Sequence, residues 1–219
     1  MSNPIKTAIV GFGAAGKFMH APFIVTQPQH YEVLAVLERN LEESKQLFPA
    51  AKIVRSIDAL LQLHEIELVI ITTPNETHLP YTKAALLAGK NVVLEKPFTI
   101  SSADAHELIA LSKQVNKTLS VFQNRRYVTD FLTIKEILHK NLLGDIHEFE
   151  AHYHRYRPEA KPNAWREENI PGSGILYDLG SHLIDQALYL FGLPKTVTAD
   201  IRLQRPHART VDKDRKSVV

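Results

Sequence analysis

The chain has no cysteine among its 219 residues, and only one tryptophan and two methionines. Without cysteine there is no disulfide framework, no cysteine-ligated zinc and no thiol nucleophile. Neither sign of charge is in excess: 26 Lys plus Arg stand against 24 Asp plus Glu, a formal net charge of +2. That balance makes no electrostatic case for a nucleic-acid or membrane-surface partner. No apolar run approaches the ~20 residues that a membrane-spanning helix needs. Residues 1–10 lack the basic and apolar segments of a secretory signal, so the expected compartment is the cytoplasm. What is present is ordinary for a globular chain, 44% hydrophobic and 23% charged residues. This excludes global disorder, collagen-like repeats and a coiled coil, and the length suits one large domain or two small ones.

Short apolar runs alternate with helical stretches of roughly ten residues from residue 5 to 122. Thr7 to Val10, Val33 to Leu37, Lys52 to Val54, Leu68 to Ile71, Asn91 to Glu95 and Leu119 to Phe122 read as strands, and Leu68 to Ile71 is apolar on both faces, as a central parallel strand should be. Ser56, and Ser101 or Ser102, are placed as helix N-caps, and Gly89 as a stop. The alternation predicts parallel crossovers and an α/β, doubly wound sheet over residues 1–122. A helix is also expected from Leu41 to Phe48, and the helix following the first strand meets Pro22. After Asn124 the rhythm changes. A helix from Phe131 to Leu142, an alternating strand from Ile146 to Arg155, a long helix from Gly174 to Phe191 and a strand from Thr196 to Leu203 define a second, incomplete α+β domain, residues 123–219. Residues 205–219 read as a charged tail.

Four motifs carry chemistry. Gly11-Phe12-Gly13-Ala14-Ala15-Gly16 follows the first strand and opens a helix, the context in which GxGxxG holds a dinucleotide pyrophosphate; the alternative is a plain Gly-rich turn. Glu38, at the end of the second strand, is placed to accept from the adenosine ribose hydroxyls, while its neighbour Arg39 is placed to clasp a 2′-phosphate. Repulsion by Glu38 favours NAD over NADP. Glu95-Lys96-Pro97 ends a parallel strand, where ligands of such sheets bind, and the Lys96 ammonium there can stabilise an alkoxide or be a plain surface charge. Asp178 and His182 stand at i and i+4 of a helix, the pairing in which a carboxylate orients an imidazole base, or simply a surface hydrogen bond. Asp185 continues that face. Glu148, Glu150, His152 and His154 share one face of a strand at a spacing that could hold a metal; a polar sheet face or a subunit contact is the reading adopted, with no metal expected.

These motifs, with Thr73-Pro74-Asn75, His78 and Asn124-Arg125-Arg126 in the same order, resemble the Gfo/Idh/MocA family of NAD(P)-dependent sugar and polyol dehydrogenases. The likeness covers about residues 5–212, and is greatest to its bacterial scyllo-inositol dehydrogenase branch. It implies a Rossmann domain followed by a domain with a large, mostly antiparallel sheet. It implies that Lys96, Asp178 and His182 are catalytic and that Gly11, Gly13 and Gly16 hold the pyrophosphate. Thr73, Asn75, His78, Glu95, Lys96 and Asn124 would line the cofactor trough, joined by Trp165 and Arg166. Lys96, Tyr153, Arg155, Arg157 and His182 would face the substrate. The implied reaction is reversible oxidation of a secondary alcohol of a cyclic polyol or sugar by NAD or NADP, with NAD preferred. The alternatives are a non-catalytic dinucleotide-binding remnant and an NAD-dependent glycosidase. The pattern continues to Thr210-Val211-Asp212, where Lys213 to Lys216 replace the apolar strand that the family would place next. The expectation is therefore a C-terminally truncated member, forming a homo-oligomer if its sheet domain were complete.

Overall fold

In the computed structural model, residues 3–156, 158 and 170–202 are described. The chain divides into two units, Met1–Phe122 and Gln123–Val219.

The first unit is built on six strands: β1 (Ile5–Val10), β2 (Tyr31–Leu37), β3 (Lys52–Val54), β4 (Leu68–Ile71), β5 (Asn91–Glu95) and β6 (Leu119–Phe122). They form one sheet in the order β3-β2-β1-β4-β5-β6, and every pairing is parallel. This is the dinucleotide-fold order, with the direction of winding reversing between β1 and β4. Successive side chains of a strand point to opposite faces. Ala8 and Val10 of β1 therefore join Val69, Ile71, Val92 and Leu94 in one core layer, while Ile9 joins Val36 and Ile70 in the other. The first layer is closed by α2 (Ile57–Leu61), α3 (His78–Leu87) and α4 (Ser102–Gln114), through Leu60, Ala85, Leu86 and Leu108, all fully buried. Burial on both faces is why Leu68 to Ile71 of β4 carry no polar alternation.

The local signals act as the chemistry of their residues dictates. Ser56 accepts from Ala59 N–H at 3.1 Å and Ser101 from Asp104 N–H at 3.1 Å, so Ser101 is the cap of α4. The expected helix from Leu41 to Phe48 is only a tight turn at Glu43–Gln46, and its leading amides are taken, as by a cap, by an upstream carboxylate described below. The helix after β1 runs through Pro22 without a break. Its first part, Gly16–His20, is a widened turn in which Ala21 N–H donates to Gly16 O, and α1 (Ala21–Val25) continues from it with Pro22 in its first turn.

The second unit contains a tight turn at Asn124–Tyr127, α5 (Thr129–His139), a second widened turn at Leu176–Gly180 and α6 (Ser181–Phe191), ended by Gly192 at φ +77°. The strands expected at Ile146–Arg155 and Thr196–Leu203 are not found: residues 145–156 and 196–202 pair with no strand among the described residues. An alternating segment becomes a strand only when a neighbour takes its amides and carbonyls. Ile146, Phe149 and Val197 accordingly stay exposed, with the Phe149 ring resting 5.2 Å from that of Phe191. The antiparallel sheet is thus absent from the described residues. The tail at 205–219 lies outside them. No helix among the described residues is long and apolar enough to cross a membrane.

Candidate functional site

In the first unit, three loops meet at the carboxyl ends of β1, β4 and β5, the side on which open parallel sheets bind ligands. The glycines of the first loop divide the labour. Gly11 sits at φ +92°, and a Cβ there would lie 2.9 Å from Thr73 Cγ2. Gly16 packs against the loop itself, since its Cβ would come within 2.6 Å of Gly11 O. Gly13 has nothing within 4 Å of an added Cβ. Its bareness serves no packing need, and it leaves open backbone in front of the helix start, a cradle that fits a pyrophosphate. Thr72 Oγ1 donates to Gly11 O at 2.8 Å and ties this loop to β4.

At the end of β2, Glu38 is buried. Its Oε2 accepts from Glu43 N–H at 3.0 Å, and its Oε1 accepts from Ser44 N–H at 3.0 Å and from the Ser44 hydroxyl. Arg55 closes the same loop by donating to Glu38 O at 2.9 Å and Leu41 O at 2.7 Å. The carboxylate expected to face the ribose is thus turned into its own loop. It is the group that captures the amides of the expected 41–48 helix. Arg39 beside it is exposed.

Behind β4, Thr73 Oγ1 lies 2.6 Å from Thr77 Oγ1, and Asn75 is buried. His78 is almost completely buried, with Nδ1 2.8 Å from Pro97 O and Nε2 3.0 Å from Thr73 O. Its ring therefore braces the β4 and β5 loops against each other from beneath. Both carbonyls would welcome a proton, but burial outweighs them and holds the imidazole below its ordinary value of 6.5. A histidine depressed in the folded state adds stability that is complete above its unfolded pKa and is lost as pH falls towards the folded value. Melting temperature should therefore drop as pH is lowered below about 6.5. The drop should be shallower in His78→Gln, and identical slopes would refute this role. At β5 the Glu95 carboxylate is buried, held 2.9 Å from His20 Nε2, and accepts from Lys96 N–H at 3.1 Å. Lys96 is half-buried.

In the second unit, Asp178 lies in the widened turn before α6 and His182 in the first turn of α6, both buried at 4% and 6% exposure. Asp185 does not extend this pair. Its carboxylate takes both arms of Arg126, at 2.8 and 2.6 Å, and the guanidinium lies 5.1 Å from the centre of the Tyr189 ring. This clamp ties the Asn124–Tyr127 turn to α6. The buried Asn124 Oδ1 has no hydrogen-bond partner among the described residues. Tyr153 is half-buried and Arg155 exposed, while Arg157, Trp165 and Arg166 lie outside the described residues. His152 Nε2 is 3.3 Å from Glu150 Oε2, and its ring stacks on that of His154. Among the described residues no three metal-ligating side chains converge. Sequence reasoning missed Arg55 and His20, and it named Arg126 only within the Asn124-Arg125-Arg126 motif, without a role. His20 had a signal, a histidine one helical turn beyond the last fingerprint glycine.

Residues 5–123 match the family model described as oxidoreductase family, NAD-binding Rossmann fold, and residues 131–217 match the GFO/IDH/MocA C-terminal domain. The chain is 45% identical over 213 residues to the uncharacterized oxidoreductase YdgJ of Escherichia coli, covering 97% of this chain and 61% of that one. It is 42% identical over 210 residues to scyllo-inositol 2-dehydrogenase (NADP(+)) IolW of Bacillus subtilis, covering 96% and 58%. The solved structure of the oxidoreductase yvaA from Bacillus subtilis superposes with a TM-score of 0.90 at 41% identity, over 97% of this chain and 60% of that one. The chain therefore spans about three fifths of the length of these relatives.

Proposed function

The chain belongs to the Gfo/Idh/MocA family of oxidoreductases, and from that premise we propose that it transfers a hydride between a secondary alcohol of a cyclic polyol or sugar and NAD or NADP. The observation that carries this reading is the open Gly13 backbone at the winding reversal of a 3-2-1-4-5-6 sheet. It rests as well on the likeness to the scyllo-inositol 2-dehydrogenase of Bacillus subtilis. When bound, the nicotinamide supplies the hydride acceptor or donor. Gly11, Gly13 and Gly16 would hold the pyrophosphate, with Thr73 and Asn75 on the neighbouring β4 loop of the same unit. His182 takes the hydroxyl proton as the alcohol is oxidised. Asp178 fixes the imidazole tautomer and stabilises the imidazolium that forms. The Lys96 ammonium stabilises the developing alkoxide. In the reverse direction His182 returns the proton to the ketone oxygen.

Mixing the protein with NAD or NADP and a panel of inositols and sugars, while following nicotinamide absorbance, tests the reading. Reduction with a polyol supports it. Tight dinucleotide binding without turnover of any polyol favours a binding-only protein, and release of an aglycone would favour a glycosidase.

The Glu38 geometry bears on the choice of cofactor. A carboxylate whose two oxygens already accept three hydrogen bonds inside its loop has little left for ribose hydroxyls, so discrimination passes to Arg39. NADP should bind at least as tightly as NAD. Arg39→Ala should weaken NADP by about tenfold or more, the value of one charge-assisted hydrogen bond, and leave NAD nearly unchanged by calorimetry. Wild-type binding of NAD tenfold tighter than NADP would restore Glu38 as the ribose reader.

A further inference from the structure

The mechanism above leaves one buried ionisable pair unused, His20 with Glu95. Both side chains are buried, Nε2 and Oε1 are 2.9 Å apart, and 75 residues of sequence separate them. A pair of this kind is costly to desolvate and is kept only where its geometry is well satisfied. Here it is satisfied on every side. Glu95 ends β5, where it lies in register with Phe122 of β6. The Phe122 ring packs on the imidazole with centroids 4.1 Å apart. The second carboxylate oxygen of Glu95 accepts the Lys96 amide. His20 itself is delivered by the widened turn Gly16–His20, which begins at the last fingerprint glycine. A continuous chain of contacts therefore runs from the pyrophosphate loop through His20 and Glu95 to the backbone of Lys96.

We propose that His20 is a positioning residue. It grips the Glu95 carboxylate, and Glu95 in turn fixes the Lys96 backbone, so that the nicotinamide half of the trough is preorganised by the same turn that carries the pyrophosphate loop. This rests on the reading of Lys96 as the alkoxide-stabilising group. In a sheet of this order the adenosine half lies towards β2 and the nicotinamide half towards β4 and β5. Loss of the grip should therefore be felt at one end of the cofactor only.

The test uses the intact chain and three variants. His20→Phe keeps a ring against Phe122 and removes Nε2. His20→Gln removes the ring and keeps a donor. Glu95→Gln is nearly isosteric and serves if His20→Phe fails to fold. Amide hydrogen exchange at Lys96 should accelerate at least about tenfold in His20→Phe and Glu95→Gln, with Val93 on the same strand unchanged, and return towards wild type in His20→Gln. NADH affinity should fall about three- to tenfold in His20→Phe, while ADP-ribose, which lacks the nicotinamide, binds within about twofold of wild type. Unchanged Lys96 exchange in a folded His20→Phe or Glu95→Gln protein would overturn the proposal, and so would equal weakening of NADH and ADP-ribose. If the wild-type chain binds neither dinucleotide, the functional reading fails, while the Lys96 amide still decides whether His20 positions it.

Discussion

Replacing His182 by alanine is expected to slow polyol oxidation by roughly 10²- to 10⁴-fold, the usual worth of a positioned general base. Alcohol oxidation requires the hydroxyl proton to leave as the hydride departs, and a secondary alcohol does not ionise unaided near neutrality. An imidazole is the side chain whose ordinary pKa suits that task. His182 and Asp178 are both buried, and burial strengthens the orienting effect of a carboxylate on an imidazole by removing competing water. Asp178→Asn should slow the same step by loosening control of the tautomer. Dinucleotide affinity should be nearly unchanged in both variants, because the groups proposed to hold the pyrophosphate belong to the first unit. The rates are best compared in the chain itself and in a fusion carrying the C-terminal segment of the Bacillus relative. If such a fusion oxidises a polyol and its His182→Ala form does so equally fast at neutral pH, His182 is not the base.

Gly13→Val should abolish dinucleotide binding without unfolding the protein. The two halves of this expectation have separate causes. An added Cβ at Gly13 meets nothing within 4 Å and its φ is not positive, so the fold bears the side chain easily. The same branched side chain would fill the space through which a pyrophosphate approaches the backbone, and the affinity should fall about a hundredfold or more. Gly16→Ala is the complement. Its Cβ would stand 2.6 Å from Gly11 O, backbone that cannot move aside cheaply, so melting temperature should fall first. Calorimetric titration with NAD and NADP, beside thermal melts, separates the two. Undiminished affinity in a folded Gly13→Val protein would remove the pyrophosphate from this loop.

The first unit was readable because doubly buried parallel strands write themselves as short apolar runs, and glycines and serines mark their helix ends. Ala8-Ile9-Val10 and Leu68 to Ile71 needed no partner to be recognised. The second unit was less so. Ile146 to Arg155 alternates correctly, but a strand exists only through its ladder, and alternation cannot supply a neighbour. Neither widened turn was foreseen, since an extra residue within a helical turn leaves no mark on composition. One delivers His20 and the other carries Asp178, residues to which roles are proposed above. The i, i+4 argument for Asp178 and His182 assumed one regular helix, whereas the pair spans the junction at Gly180 and Ser181. Glu38 and Asp185 show a further limit. Each was placed by sequence position at a functional face, and each is spent on a partner that sequence separation concealed, the Glu43–Ser44 amides and the Arg126 guanidinium.

Hydride transfer itself is observed most directly with C-deuterated scyllo-inositol as the alcohol and mass analysis of the nicotinamide. The account predicts that one deuterium per turnover appears on the reduced nicotinamide ring, that the inositol becomes a ketone, and that His182→Ala suppresses both together. Reduced nicotinamide lacking deuterium, or no transfer from any deuterated polyol or sugar to a dinucleotide that binds well, would contradict it.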